Sequence, residues 1–313
     1  MKFGVRLAVQ GEMGAKGQGW DYTRDMAVEA EALGFDSLWL PDHVMNAHMT
    51  RTTPMLECWT VLSALAALTD KVTFAGHTFN NSLRNPAVMA KMAATFDVMF
   101  KGRLIYSLGS AWFNYETEGY GLPWDEHDQR VSRLREALII AKRMWTEQEV
   151  SFAGDFYTLD RAILEPKPVQ KPHIPIWVPG DSEATRDLVA EMGDCWLIYS
   201  KPPEVIHAWS EDMNRRAGRK VPIAVSTVCL AGLAEEGVTK WSHLYAEERK
   251  HRFAVPPTPA DVLNENLWGT TEQCLERIRQ WEAAGVTHLI IQPIPPLEGM
   301  RHFAKALMPS LKT

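Results

Sequence analysis

The sequence predicts a (β/α)8 TIM-type barrel with insertion segments, and three observations carry that expectation. Eight short runs rich in β-branched and aromatic residues each lead into a longer stretch of helical period. Two distant segments, Glu31-Ala32-Leu33-Gly34-Phe35-Asp36-Ser37-Leu38-Trp39-Leu40 and Glu282-Ala283-Ala284-Gly285-Val286-Thr287-His288-Leu289-Ile290-Ile291, read as copies of one helix–glycine–strand unit. No G-x-G-x-x-G follows the first strand, because Gly11, Gly14, Gly17 and Gly19 lie in a long loop without that spacing. Its absence counts against an open doubly wound sheet.

In chain order the expected strands are Phe3–Val9, Ser37–Pro41, Val72–Thr78, Leu104–Leu108, Ile174–Val178, Cys195–Tyr199, Ile223–Leu230 and His288–Gln292. Helical period follows them near 22–33, 56–69, 86–99, 129–146, 183–192, 203–217, 271–284 and 297–308. Gly34 and Gly285 each stand where a left-handed helix end favours glycine. Two stretches interrupt the rhythm. Residues 149–173 carry a hairpin-like Phe152-Ala153-Gly154-Asp155-Phe156-Tyr157 and then Pro166, Pro168 and Pro172. Residues 246–267 are charged and then proline-rich, with Pro256, Pro257 and Pro259. Both read as rim insertions on a single domain spanning 1–313, in positions that suit lids or subunit contacts.

Composition narrows the partners. The 313 residues are 46% apolar and 23% charged, with a formal net charge of −6, so the whole molecule does not attract phosphate polymers or an anionic membrane surface. No apolar run is long enough for a membrane span, and Met1–Arg6 lacks the apolar core of a signal peptide, so the expected location is the cytoplasm. The four cysteines, Cys58, Cys195, Cys229 and Cys274, form no C-x-x-C pair, which suggests neither zinc nor a disulfide framework but core thiols. Twelve tryptophans and fourteen methionines would suit a flat, polarisable ligand as well as a core.

Four segments at strand ends could carry chemistry, since barrel active sites are built from the loops that follow the strands. The first is Trp39-Leu40-Pro41-Asp42-His43, where a carboxylate beside an imidazole can orient it and suit it to proton transfer. A capping Asp42 with a surface His43 is the plainer alternative. No second histidine or carboxylate falls at ligand spacing, so no metal site is expected. The second is Val178-Pro179-Gly180-Asp181-Ser182-Glu183-Ala184-Thr185. Gly180 permits a tight turn, and Ser182 and Thr185 fall on one side of a helical turn whose N–H groups attract anions, although Asp181 and Glu183 oppose this. A simple N-cap explains the same residues.

The third segment is Gly76-His77-Thr78-Phe79-Asn80-Asn81-Ser82-Leu83-Arg84-Asn85-Pro86, with a helix opening near Pro86. Asn80, Asn81 and Ser82 offer neutral donors and acceptors for ring carbonyls and nitrogens, or ordinary turn chemistry. The fourth is Leu108-Gly109-Ser110-Ala111-Trp112-Phe113-Asn114-Tyr115-Glu116. Small residues followed by an aromatic pair suit a flat ligand close to the backbone, or a ligand-free aromatic cluster.

In order and spacing, these segments resemble the luciferase-like monooxygenase superfamily over nearly the whole chain. The resemblance is densest in Ala30–His43, Arg84–Lys91, Phe96-Asp97-Val98-Met99 with Gly102-Arg103-Leu104, and Gly109–Phe113 with Glu116 and Tyr120-Gly121. Glu165-Pro166-Lys167-Pro168-Val169-Gln170 and Leu267-Trp268-Gly269-Thr270 complete it. It implies a barrel that dimerises and holds a flavin mononucleotide, or the deazaflavin coenzyme F420, over the strand ends. It also implies a non-proline cis peptide near Gly76-His77, phosphate at Gly180–Thr185 with Asp181 in the turn, and Ser110 and Asn80 beside the cofactor. His43 matches the histidine near the reactive face, with Asp42 orienting it and Trp39, Trp112 and His77 walling the substrate space.

Pro54-Met55-Leu56-Glu57, Arg84-Asn85-Pro86 and Ser110–Phe113 are similar to the F420-dependent branch, which implies hydride transfer to or from a small organic substrate. Gly180-Asp181-Ser182-Glu183 departs from that branch's run of glycines toward the flavin mononucleotide members, and Phe79 and Asn80 replace smaller residues. An FMN-dependent monooxygenase using oxygen is therefore the alternative, and a barrel that binds a flavin without turnover is a remote one.

Overall fold

The computed structural model describes residues 1–8, 19–47, 51–249 and 258–311. Their elements run β1 (Lys2–Arg6), α1 (Trp20–Ala32), β2 (Ser37–Leu40), α2 (Cys58–Ala66), β3 (Thr73–Gly76), β4 (Phe79–Asn80), α3 (Pro86–Met99) and β5 (Leu104–Gly109). There follow α4 (Asn114–Gly119), α5 (His127–Thr146), β6 (Val150–Ala153), β7 (Thr158–Ala162), β8 (Ile176–Pro179), α6 (Glu183–Met192), β9 (Cys195–Tyr199) and α7 (Pro203–Ala217). The chain ends with β10 (Ile223–Cys229), α8 (Glu235–Arg249), α9 (Pro259–Glu265), α10 (Thr271–Ala283), β11 (Val286–Pro293) and α11 (Pro296–Ala306).

The main sheet has the order β3-β2-β1-β11-β10-β9-β8-β5-β4, and β3 also pairs with β5. Strands β3, β2, β1, β11, β10, β9, β8 and β5 thus form a cycle of eight, and the fold is the expected TIM-type α/β barrel. All eight expected strands are present, and β4 is a short addition paired in parallel with β5.

The chain divides into two compact units, Met1–Leu38 with Leu197–Thr313, and Trp39–Trp196. In the first, β1 pairs in parallel with β11, and β11 with β10. Phe3 packs edge-on against Phe303, which stacks on Phe35. In the second, β5 pairs in parallel with β3 and β8. The indole N–H of Trp145 on α5 donates to Ala90 on α3 at 2.9 Å, and Asp97, fully buried on α3, accepts the amides of Val169 and Gln170. That carboxylate fastens the proline-rich Glu165–Gln170 segment to the helix.

Each unit repeats one device. Asp36 donates its amide to the Phe3 carbonyl and accepts the Phe3 amide on Oδ2, at 2.7 and 2.8 Å. Asp194 does the same to Ile176 at the same two distances. A carboxylate just before a strand therefore sets that strand's register against the preceding one. The expected glycine helix ends are left-handed, with φ of 85° at Gly34 and 105° at Gly285.

The irregular stretches are more ordered than their composition suggests. Residues 149–173 contain the antiparallel pair β6–β7, whose tip is held by Glu136 through the amides of Asp155, Phe156 and Tyr157. In the 246–267 stretch the first residues end α8, and Pro259–Glu265 forms α9 with a Thr258/Asp261 capping box. Val238, Trp241 and Tyr245 recur at helical spacing and pack with Val262 and Ile294, a period that the surrounding charge obscured. Pro256 and Pro257, with Gly11, Gly14 and Gly17, lie outside the described residues.

Candidate active site

The site residues all belong to the Trp39–Trp196 unit. At the end of β2, Trp39 has no exposed surface and packs 5.3 Å from Trp177 and 6.2 Å, edge-on, from His77. It is thus packed between these two rings. Asp42 is buried as well. Its carboxylate accepts Nη1 and Nη2 of Arg84 at 2.6 and 2.9 Å and the Asn80 amide at 2.9 Å, and Arg84 also reaches Glu57 at 2.6 Å. Burial pushes the Asp42 carboxyl up from its ordinary value, while Arg84 and the Asn80 amide pull it back. Burial acts to lower the Arg84 guanidinium, but Asp42 and Glu57 more than reverse this and hold it above its ordinary value.

The Asp42 carboxylate is thus engaged by Arg84 and the Asn80 amide. His43 pairs with Glu116 on α4. Nδ1 of His43 donates to Glu116 Oε1 at 2.8 Å, and Glu116 also accepts the Val44 amide at 3.0 Å and the Asn80 side-chain amide at 3.2 Å. The Glu116 side chain is wholly buried. The rings of Trp112 and Phe113 both stand edge-on to His43, with centroids at 5.6 and 6.2 Å.

The third segment packs beneath these groups. The His77–Thr78 peptide is cis, one residue beyond the expected place. A side chain at Gly76 would strike the Phe79 ring at 2.5 Å, and Phe79 stacks on Trp59 with centroids 4.4 Å apart. Asn80 bridges Asp42 and Glu116. A Cβ on Gly109 would meet the Thr78 hydroxyl at 2.7 Å and Pro179 at 3.0 Å. The following Ser110 is half-buried, and Ala111 is left-handed at φ 67°, a conformation that costs about 1–2 kcal/mol for a residue with a Cβ and turns the chain toward Trp112.

At the fourth site β8 turns sharply into α6. Gly180 has φ 115°, and its carbonyl accepts the Trp196 indole N–H at 2.6 Å. Ser182 caps α6 by accepting the Thr185 amide, and the two hydroxyls lie 2.8 Å apart. Asp181 and Glu183 are exposed, and Arg186 donates to the Asp181 carbonyl at 2.9 Å, which brings a guanidinium to an otherwise acidic turn. Glu116 and Arg84 stood in the sequence only as parts of the motifs, and Arg186 carried no signal beyond its place in the first helical turn.

Among the described residues, no cluster of histidine, cysteine and carboxylate could hold a metal ion, and no helix is long and apolar enough to cross a membrane. The four cysteines are buried and free, and burial pushes the thiols of Cys229 and Cys274 up to about 12.

The profile of the luciferase-like monooxygenase family matches residues 1–288. An FMNH2-dependent dimethylsulfone monooxygenase of Pseudomonas putida is 28% identical over 93% of this chain and 88% of its own length. An F420-dependent glucose-6-phosphate dehydrogenase of Intrasporangium calvum is 29% identical over 85% and 87%. Among solved structures, an F420-dependent secondary alcohol dehydrogenase has a TM-score of 0.82 at 21% identity, covering 98% of both chains. The EDTA monooxygenase of Chelativorans sp. BNC1 also scores 0.82, at 14% identity, covering 100% of this chain and 93% of its own. Such relatives use F420 or reduced FMN. The chain is an oxidoreductase or monooxygenase enzyme with a flavin-type cofactor, and it belongs to the luciferase-like monooxygenase family.

Proposed function

We propose that the chain is an F420-dependent oxidoreductase that moves a hydride to or from a small organic substrate, with His43 exchanging the accompanying proton. The observation that carries this reading is the His43–Glu116 pair. Hydride transfer at a carbon–oxygen bond also moves a proton, and an imidazole held by a buried carboxylate is suited to give or take it at Nε2. Glu116 fixes the ring and offsets its charge when it is protonated. Asp42, locked by Arg84, positions the Asn80 backbone beside that pair.

The residues fit a planar ring that carries a phosphate. Gly76 and Gly109 keep side chains away from the segment around the cis peptide, and the Ser107 hydroxyl on β5 is buried without a hydrogen-bond partner. Gly180, Ser182 and Thr185 would hold the phosphate at the start of α6, aided by Arg186. Bound there, such a ring supplies hydride as F420, or activates oxygen as reduced FMN. The Ser182–Thr185 hydroxyl pair favours the second reading, an FMN-dependent monooxygenase. Fluorescence-quenching titrations with each cofactor separate the two: tight binding of F420 is expected, and tight binding of FMN alone overturns the first reading.

We place the enzyme in the cytoplasm as a homodimer. The partly apolar face of α3 supports the second point, since Val88 and Met99 are 57% and 62% exposed. Size-exclusion chromatography with light scattering tests it.

A further inference from the structure

The segment around α4 has an uneven distribution of polarity. Its inner side buries Glu116 and Thr117 completely, while Trp112, Tyr115 and Tyr120 are 46%, 56% and 58% exposed. Large aromatic rings gain by leaving water, so a run of them on the surface beside a buried acid–imidazole pair marks a recognition surface. The rings are also ordered relative to one another. Trp112 and Phe113 lie 5.4 Å apart and both meet His43 edge-on, and Phe113 continues to Tyr115 at 5.9 Å.

Charge next to His43 argues against an anion at that position. Glu116 lies directly behind His43. The Arg84 guanidinium is engaged by Asp42 and Glu57, while the exposed Arg51 keeps its charge over the Tyr115 ring, 4.9 Å from its centroid, and not at His43. A phosphate or sulfonate brought to His43 would find any imidazolium charge already balanced by Glu116, whereas an uncharged ring would meet the aromatic side chains and a hydrogen-bonding nitrogen.

We infer that the substrate is a small, uncharged aromatic compound, packed on Trp112 and Phe113 with a carbonyl or hydroxyl oxygen at His43. This rests on the reading of His43 as the proton-exchanging group, and it differs from the sugar phosphate and the aliphatic sulfone named for the two relatives.

The test is equilibrium binding of acetophenone, cyclohexyl methyl ketone, benzoate and glucose 6-phosphate, by calorimetry, to the full chain with and without saturating cofactor. Acetophenone is expected to bind about tenfold tighter than the other three. Trp112→Ala should weaken acetophenone about tenfold, and Trp112→Phe much less. The cyclohexyl ketone should respond little to either change. Circular dichroism checks that both variants fold, which the exposure of Trp112 favours. Tighter binding of benzoate or glucose 6-phosphate, or equal loss of both ketones in Trp112→Ala, overturns the inference. Failure of both cofactors to bind while acetophenone still selects Trp112 overturns the proposed function and leaves the aromatic site standing.

Discussion

His43 and Glu116, 73 residues apart in the chain, meet through a 2.8 Å hydrogen bond from Nδ1 to Oε1, with the Glu116 side chain fully buried. Glu116 is held in turn by the Val44 amide and the Asn80 side chain. Its negative charge is therefore solvated by protein donors, and the imidazole is fixed in one orientation by a group that cannot swing away.

Two substitutions test that pair. His43→Ala should lower kcat by about 10²-fold or more, the contribution expected of a positioned acid or base, with little change in cofactor affinity. Glu116→Gln preserves shape but removes the charge, and should lower kcat by a comparable factor while leaving the cofactor bound. Stopped-flow turnover and cofactor titration on each variant check this. A matched loss of cofactor affinity in both would make them binding residues instead.

The Asp42–Arg84 pair predicts a stability effect. Arg84→Met leaves a buried carboxylate unpaired and should destabilise the protein by about 3–5 kcal/mol. Asp42→Asn in the same chain should recover most of that loss, because the uncompensated charge is gone. Urea denaturation of the single and double variants measures both effects, and an additive loss would show that the two side chains do not act as a pair.

At the turn into α6, Ser182→Ala and Thr185→Ala should each weaken cofactor binding by about ten- to a hundredfold, the usual loss for a hydrogen bond to a charged group. Ser182→Ala should also cost about 1 kcal/mol through the lost helix cap. Titration of both variants is the check. Unchanged affinity in both would move the phosphate away from this turn.

His288, opposite Lys2 in the β1–β11 pairing, predicts the pH dependence of stability. Burial, with Lys2 and the N-terminal amine adding to it, lowers its imidazole from 6.5 to about 4. Between those values the unfolded chain binds a proton that the native chain refuses, so this contribution is full above 6.5 and falls as pH drops toward 4. The partly exposed ring discounts the loss to about 2 kcal/mol. Urea midpoints at pH 7 and pH 4.5 should differ less in His288→Gln than in the wild type, and an equal shift in both would assign the effect to other groups.

Local chemistry left the fold readable. Gly34 and Gly285 marked helix ends because few other residues tolerate positive φ, and Pro86 marked a helix start beneath the Asn85 cap. The hairpin at 150–162 was signalled by Gly154. Helix α4 was missed because six residues are too few to show a period, and α8 because charge hid its apolar stripe.

The sequence by itself determined the barrel, the order of its elements and the four strand ends where chemistry could sit, since period, capping and turn preference act within a few residues. Only the tertiary structure decided which side chains work together. It gave Asp42 to Arg84, 42 residues away, and His43 to Glu116, because each side chain beyond the strand end pairs with whatever distant segment the fold packs beside it.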